Sequence, residues 1–237
     1  VELRTVAGVN GCEMDDRLFD DVARLVEARR FRVPCLASAI ANWSRAITAD
    51  FTRDSADLLR AAPRARRLGA RFIRIMSWPN DGLPAAEWRR EALARLRELA
   101  RIAEAEGVTL VLENCSGWAS QTPRELREAI EETGSASLRL VFDTGNAVAD
   151  GGSREDSWGF YEAARPFIAH VHVKDCVREA SGDVRYTWPG EGWGMVTEVL
   201  ADLHATGWDG VVSIEPHITG KIHRRSAGGG AAEARAV

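Results

Sequence analysis

Short apolar runs alternate with longer amphipathic stretches along the chain, and this alternation restricts the fold more than any other feature. The runs are VELR (1–4), RVPCLA (32–37), RFIRIM (71–76), VTLVLE (108–113), LRLVFD (138–143), FIAHVHV (167–173) and GVVSIE (210–215). Helical periodicity covers 15–29, 50–68, 84–106, 156–164 and part of 192–206, and Thr122 to Glu125 has capping-box spacing. Pro63 is expected to kink or divide the second helix, and Pro34 weakens the second run as a strand. The tail from Lys221 reads as loop entering a short helix. Continuous apolar strands alternating with amphipathic helices give a parallel sheet covered by helices. Two architectures satisfy that pattern, an open doubly wound sheet and a closed eight-stranded barrel. A length of 237 residues and 45% hydrophobic content suit either one.

Charge and cysteine usage narrow the function. A net charge of −4 gives no general attraction for polyanions such as DNA. The four cysteines, Cys12, Cys35, Cys115 and Cys176, form no CxxC pair, which argues against a disulfide scaffold or a thiolate zinc site and fits a cytoplasmic protein. No run is apolar enough to span a bilayer, and no signal peptide is visible. Expected partners are small molecules, with no nucleic acid and no membrane; a homo-oligomer is compatible.

Four apolar runs carry a metal-ligating side chain near their C-terminal end: Glu113, Asp143, His172 and Glu215, separated by 30, 29 and 43 residues. Each step fits one strand–helix–strand passage, the last with an added loop. Parallel strands send their C-termini to one end of a sheet, and adjacent strands lie roughly 4.8 Å apart. Three carboxylates and one imidazole then meet in one space, where the carboxylates repel unless a cation sits among them. Taken singly, each carboxylate reads as a solvated loop residue or cap and the histidine as a structural hydrogen bonder; their common register is what favours a shared ion. The donor set suits one divalent metal, with Mn²⁺ or Mg²⁺ favoured by the hard oxygens and Co²⁺ or Zn²⁺ admissible.

The segments LVLEN (110–114), FDTGN (142–146), HVHVKD (170–175), GEGWG (190–194) and GVVSIEPH (210–217) resemble, in order and spacing, the sugar phosphate isomerase/epimerase family, the xylose isomerase-like barrels. The resemblance covers most of the chain. It implies an α/β fold of the (β/α)8 TIM barrel type, as one domain over 1–237, incomplete at both ends because the first strand and helix and the closing helix are missing. It also implies that Glu113, Asp143, His172 and Glu215 bind one metal, and that Glu113 and Glu215 are the paired acid/base residues. The expected reaction moves a proton next to the carbonyl of a ketose or sugar-like substrate through a metal-bound enediolate, giving isomerisation or epimerisation.

Asn146, Lys174 and Trp118 are candidate substrate contacts. His170, two residues before His172, is expected deeper in the barrel as a structural or supporting residue. Arg178, Arg185 and Trp78 are weaker candidates for the mouth. GEGWG lacks the spacing of a dinucleotide fingerprint, and its glycines read as hinges. Other functions on the same frame are a metal-dependent dehydratase acting on a keto-inositol or dehydroshikimate-like compound, and a sugar-binding barrel without catalysis. A DNA-repair nuclease of the endonuclease IV type would need a multi-zinc cluster. The five histidines, His170, His172, His204, His217 and His223, leave the early strands and the DTGN segment without one.

Overall fold

The computed structural model of the protein describes residues 1–215, 217 and 218. In chain order the elements are β1 (Thr5–Val6), β2 (Val9–Asn10), α1 (Asp16–Ala28), β3 (Cys35–Ala37), α2 (Thr52–Leu68), β4 (Phe72–Ser77), α3 (Ala85–Glu106), β5 (Thr109–Gly117), α4 (Pro123–Thr133), β6 (Leu138–Asp143), α5 (Asn146–Ala149), α6 (Arg154–Ala164), β7 (Ile168–Val173), β8 (Asp175–Arg178), β9 (Val184–Thr187), α7 (Val196–Ala205) and β10 (Val211–Ile214). The reading of the tail from Lys221, His223 included, lies outside the described residues.

Six strands form one parallel sheet in the order β10-β7-β6-β5-β4-β3, and Leu3 continues it by bridging to Leu36. The sheet curls. Glu2, beside Leu3 beyond the β3 edge, reaches His170 and His172 on β7, near the opposite edge. The fold is therefore a half-barrel of parallel strands with helices outside, and the open doubly wound alternative falls away.

Side-chain alternation then separates two layers. Outward residues such as Leu110, Leu112, Leu140, Phe142, Val171 and Val173 are buried in the main core. Cys35, Phe72, Val111 and Val141 form a small inner cluster. Two residues further along β4, β5, β6 and β7 from Phe72, Val111, Val141 and His170 stand Arg74, Glu113, Asp143 and His172. An apolar layer thus floors a polar one, as successive layers do inside a barrel.

Helix boundaries follow local chemistry. The side chain of Asp15 accepts the Leu18 N–H, that of Thr122 accepts from Glu125 with Pro123 in the first turn, and Ser153 and Asp156 form a reciprocal capping box. α3 stops at Gly107, whose φ of 66° lies where glycine is favoured. Pro63 does not divide α2, which runs unbroken from Thr52 to Leu68. Pro63 and Leu59 both lie on the exposed face, so the Leu59 carbonyl that loses an N–H partner there can turn to water.

Three local features differ from expectation. Residues 1–4 supply only the single bridge at Leu3, and the chain then turns into the β1–β2 hairpin. α5 is an additional short helix after β6. The β8–β9 hairpin fills the long step between His172 and Glu215. No helix among the described residues is long and apolar enough to cross a membrane.

Candidate metal centre

β5, β6, β7 and β10 are neighbours in the sheet, and each delivers one side chain of the expected set. Asp143 and His172 are direct register partners, Glu113 pairs with Val141, and the Glu215 amide continues the ladder to the Val173 carbonyl at 3.0 Å. Ligand atoms of Glu113, Asp143, His172 and Glu215 all lie within 4.8 Å of one another. His172 Nδ1 is 3.3 Å from Glu215 Oε1 and 3.6 Å from Glu113 Oε1. Glu113, Asp143 and His172 are buried; Glu215, with its side chain 28% exposed, is the accessible member.

The surrounding side chains fix this geometry. Arg74 donates to Glu113 Oε2 at 2.8 Å, and Asn146 Nδ2 donates to Glu113 Oε1 at 3.2 Å. Asp143 Oδ1 accepts the amides of Gly145 and Asn146, which leaves Oδ2 for the cluster. Asn114 locks the end of β6 by accepting the Asp143 amide and donating to the Asp143 carbonyl. Lys174 Nζ donates to Asn146 Oδ1 at 2.6 Å and stands 2.9 Å from Asp143 Oδ2. On the other side of His172, Nε2 lies 2.9 Å from Glu2 Oε2.

The electrostatics is that of a crowded anionic site. Burial raises the Asp143 carboxyl, with Lys174 opposing and Glu113 and Glu215 reinforcing, and the result is pushed up to about 6. Burial acts in the same direction on Glu113, but the Arg74 guanidinium, His172 and Lys174 outweigh it and hold that carboxyl well below the usual range. Burial depresses His172, but the surrounding carboxylates of Glu113, Glu2 and Glu215 raise it well above the ordinary imidazole value.

A divalent cation fits these residues on two observations. His172 Nδ1 is buried without a hydrogen-bond partner, Asp143 Oδ2 is met by the Lys174 ammonium alone at 2.9 Å, and both atoms belong to the four-residue cluster. Buried polar atoms are normally satisfied, so the free ring nitrogen marks room for a ligand. The four carboxylates of Glu2, Glu113, Asp143 and Glu215 face two fixed cations, Arg74 and Lys174. With His172 neutral, as ligation requires, the carboxylates outnumber these two cations by two, a charge that one divalent ion would balance.

Sequence reasoning located the four cluster residues and put Asn146 and Lys174 beside them. It did not find Arg74 or Glu2. A charged residue inside the apolar run RFIRIM, on the same face as the inner-layer residue Phe72, was the available signal for Arg74. Glu2 carried no comparable mark. His170 is buried one layer below His172, against Glu2 and Ser213, as expected of a supporting residue.

Trp118 is buried in the main core with Arg89 over its ring, so the structure gives it a packing role in place of an open sugar-stacking face. Trp78 is likewise buried, its indole N–H donating to Asp54. Arg178 and Arg185 are hairpin residues, the first donating to the Gly182 carbonyl and the second paired with Glu179. The glycines of 190–194 hold the loop through their backbone, because the Asp175 carboxylate accepts the amides of Gly190, Gly192 and Gly194. A Cβ at Gly192 would lie 2.2 Å from Asp175 Oδ1, so a side chain there is excluded.

Comparison with known proteins places the chain in a family. The protein is 30% identical over 139 residues to an inosose dehydratase of Bacillus thuringiensis, a match covering 52% of this chain and 45% of that one. The chain thus spans just under half the length of that relative. A longer match to the inosose dehydratase of Geobacillus thermodenitrificans is 27% identical and covers 89% of this chain and 78% of that one.

Among solved structures, a xylose isomerase-like TIM barrel protein of Mycobacterium smegmatis in complex with magnesium superposes with a TM-score of 0.67 at 18% identity, covering 86% of this chain and 72% of that one. A D-tagatose 3-epimerase-like protein gives 0.67 at 23%, covering 86% and 78%. The IOLI protein with a bound zinc atom gives 0.67 at 20%, covering 92% and 79%. At these identities the structures establish a shared fold. The family model of xylose isomerase-like TIM barrels matches residues 2–236, and the chain belongs to that family.

Proposed function

We propose that the protein is a divalent-metal-dependent enzyme that removes a proton from the carbon next to the carbonyl of a sugar-like or polyol-derived ketone. The observation that carries this reading is the convergence of Glu113, Asp143, His172 and Glu215 from four neighbouring strands, with the buried His172 Nδ1 left without a hydrogen-bond partner. These four residues would hold the ion, which as a Lewis acid would acidify the neighbouring C–H. Mg²⁺ and Zn²⁺ are the ions named for fold neighbours, and the oxygen-rich donor set also suits Mn²⁺.

The two glutamates are unequal. Glu113 is buried, clamped by Arg74 and Asn146 and held low, which makes it a weak proton acceptor. Glu215 is more exposed, with His172 and His217 as its ionic neighbours at 3.3 and 3.8 Å. Glu215 is therefore the base, and Glu113 chiefly a ligand. Lys174 and Asn146 form a fixed polar wall suited to substrate oxygens.

A single effective base supports dehydration, in which proton removal is followed by loss of a β-hydroxyl, and the inosose dehydratase relatives point the same way. The second reading is isomerisation, in which the proton returns to the neighbouring carbon, or epimerisation, which needs a partner acid on the opposite face of the substrate. The presence of a second glutamate in the cluster and the epimerase-like fold neighbour favour it.

The test is incubation of the metal-loaded protein in D2O with a panel of ketoses and keto-inositols, followed by mass spectrometry. Deuterium entry with loss of one water identifies the dehydratase, and deuterium entry at unchanged composition identifies the isomerase or epimerase. Absence of exchange with every ketone, in folded and metal-loaded protein, sinks the proposal.

A further inference from the structure

The imidazole of His172 stands between two groups of carboxylates. Nδ1 faces Glu113 and Glu215, and Nε2 faces both oxygens of Glu2, at 2.9 and 3.1 Å. A neutral imidazole has one N–H and one lone pair, and a carboxylate can only accept. With a cation among the carboxylates on the Nδ1 side the ring would be neutral, and the Glu2 carboxylate against Nε2 would then keep the hydrogen on that nitrogen and leave the Nδ1 lone pair for the ion. Nδ1 is also the buried ring nitrogen of His172 without a hydrogen-bond partner.

Glu2 reaches further than one ring. Its Oε2 lies 3.0 Å from His170 Nε2, and that nitrogen is 3.2 Å from Ser213 Oγ on β10, the strand that leads into Glu215. Glu2 comes from the segment beyond β3, at the edge of the sheet opposite β10. Its side chain is only 11% exposed, so it is committed to the interior.

We infer that Glu2 is the positioning residue of the metal centre: it fixes the tautomer and orientation of His172 so that Nδ1 presents its lone pair beside Glu113 and Glu215, and through His170 and Ser213 it steadies the strand that carries Glu215. This inference rests on the metal reading of the preceding section. Carboxylates behind ligating histidines raise ligand basicity and hold the ring, and their loss typically weakens metal affinity about 10- to 100-fold. A rival arrangement exists, because Glu2, His170 and His172 are themselves close enough to hold an ion. It would place a second cation on the other nitrogen of the same imidazole.

The test is isothermal titration of Mn²⁺ and of Zn²⁺ into the metal-free wild type, Glu2→Gln, Glu2→Asp and His170→Gln, with thermal unfolding to confirm that each is folded. Expected are one equivalent in the wild type, affinity lower by about 10- to 100-fold in Glu2→Gln, and an intermediate value in Glu2→Asp, which keeps the charge on a shorter arm. A folded Glu2→Gln that binds as tightly as wild type overturns the inference and leaves Glu2 as a strand tie. Two equivalents in the wild type, one of them lost in His170→Gln, overturn it in favour of the second ion.

A wild type that binds no metal removes the metal reading itself, a failure distinct from unchanged affinity in the variant. If Glu2→Gln does not fold, ring-nitrogen NMR of the zinc-loaded wild type decides. A protonated Nε2 with Nδ1 on the metal supports the inference, and Nε2 on the metal overturns it.

Discussion

Glu113 and Glu215 flank Asp143 and His172, but only Glu113 is tied down on its far side, by Arg74 at 2.8 Å. This difference separates the effects of mutating them. Glu215→Gln removes the proposed base while keeping an oxygen in the cluster, so deuterium exchange should fall by about 10²- to 10⁴-fold while metal binding weakens much less. Exchange at the wild-type rate would exclude Glu215 as the base. Arg74→Met leaves the Glu113 carboxylate buried without its cation, and breaking a buried pair costs about 3–5 kcal/mol. Urea unfolding of the metal-free variant should show that loss, and added Mn²⁺ should recover part of it because the ion supplies the missing charge. A variant as stable as wild type would mean that water already solvates Glu113. Glu113, Asp143, His172 and Glu215 were legible in the sequence because each sits near the end of an apolar run, where chain direction alone predicts its position. Glu2 was not, because its partners His170 and His172 lie across the barrel interior, at a distance that only the curvature of the sheet closes; Arg74 stands beside Glu113 on the neighbouring strand, but a single charge in the middle of an apolar run does not by itself mark a partner in sequence.

At the level of elements, the sequence showed boundaries where local capping chemistry is plain, as in the Asp15 and Thr122 side chains and the left-handed backbone of Gly107, but not at Ser153, since the helix there was expected only from Asp156. It was silent where regular structure rests on nonlocal pairing. The β8–β9 hairpin has mixed polarity, and its strands are stabilised by each other and by the loop that follows. Asp175 opens β8 and also gathers the amides of Gly190, Gly192 and Gly194, so one carboxylate ties the hairpin to the loop before α7. Hydrogen bonds to a charged acceptor are each worth about 1.5–3 kcal/mol. Asp175→Ala should therefore release this loop without unfolding the sheet. Hydrogen exchange should show faster exchange at the three glycine amides and unchanged protection in β5 and β6. Uniform acceleration across the protein would show that the loop and the barrel form one cooperative unit.

For the whole molecule, a metal ion held as proposed would bear on stability as much as on chemistry. The four proposed ligands come from β5, β6, β7 and the end of β10, and Glu2 adds a contact from beyond β3. A cation there would cross-link most of the width of the sheet and relieve repulsion among carboxylates that the fold has already brought together. An ion that binds the folded state alone stabilises it by mass action, by about 4 kcal/mol at a concentration near 1,000 times its dissociation constant. For a domain of this size each kcal/mol moves the Tm by about 2–4 °C, so saturating Mn²⁺ should raise the unfolding temperature by roughly 10 °C over protein kept in a chelator. His172→Ala removes a ligand from the centre of the cluster and should abolish most of that rise, even if its metal-free Tm is close to that of the wild type. Arg178→Ala changes a hairpin arginine outside the cluster and should leave the rise intact. Equal Tm values with Mn²⁺ and with chelator in the wild type would mean that the carboxylates are held apart by Arg74 and Lys174 alone, and the curled sheet would then owe its shape to its apolar layers and not to an ion.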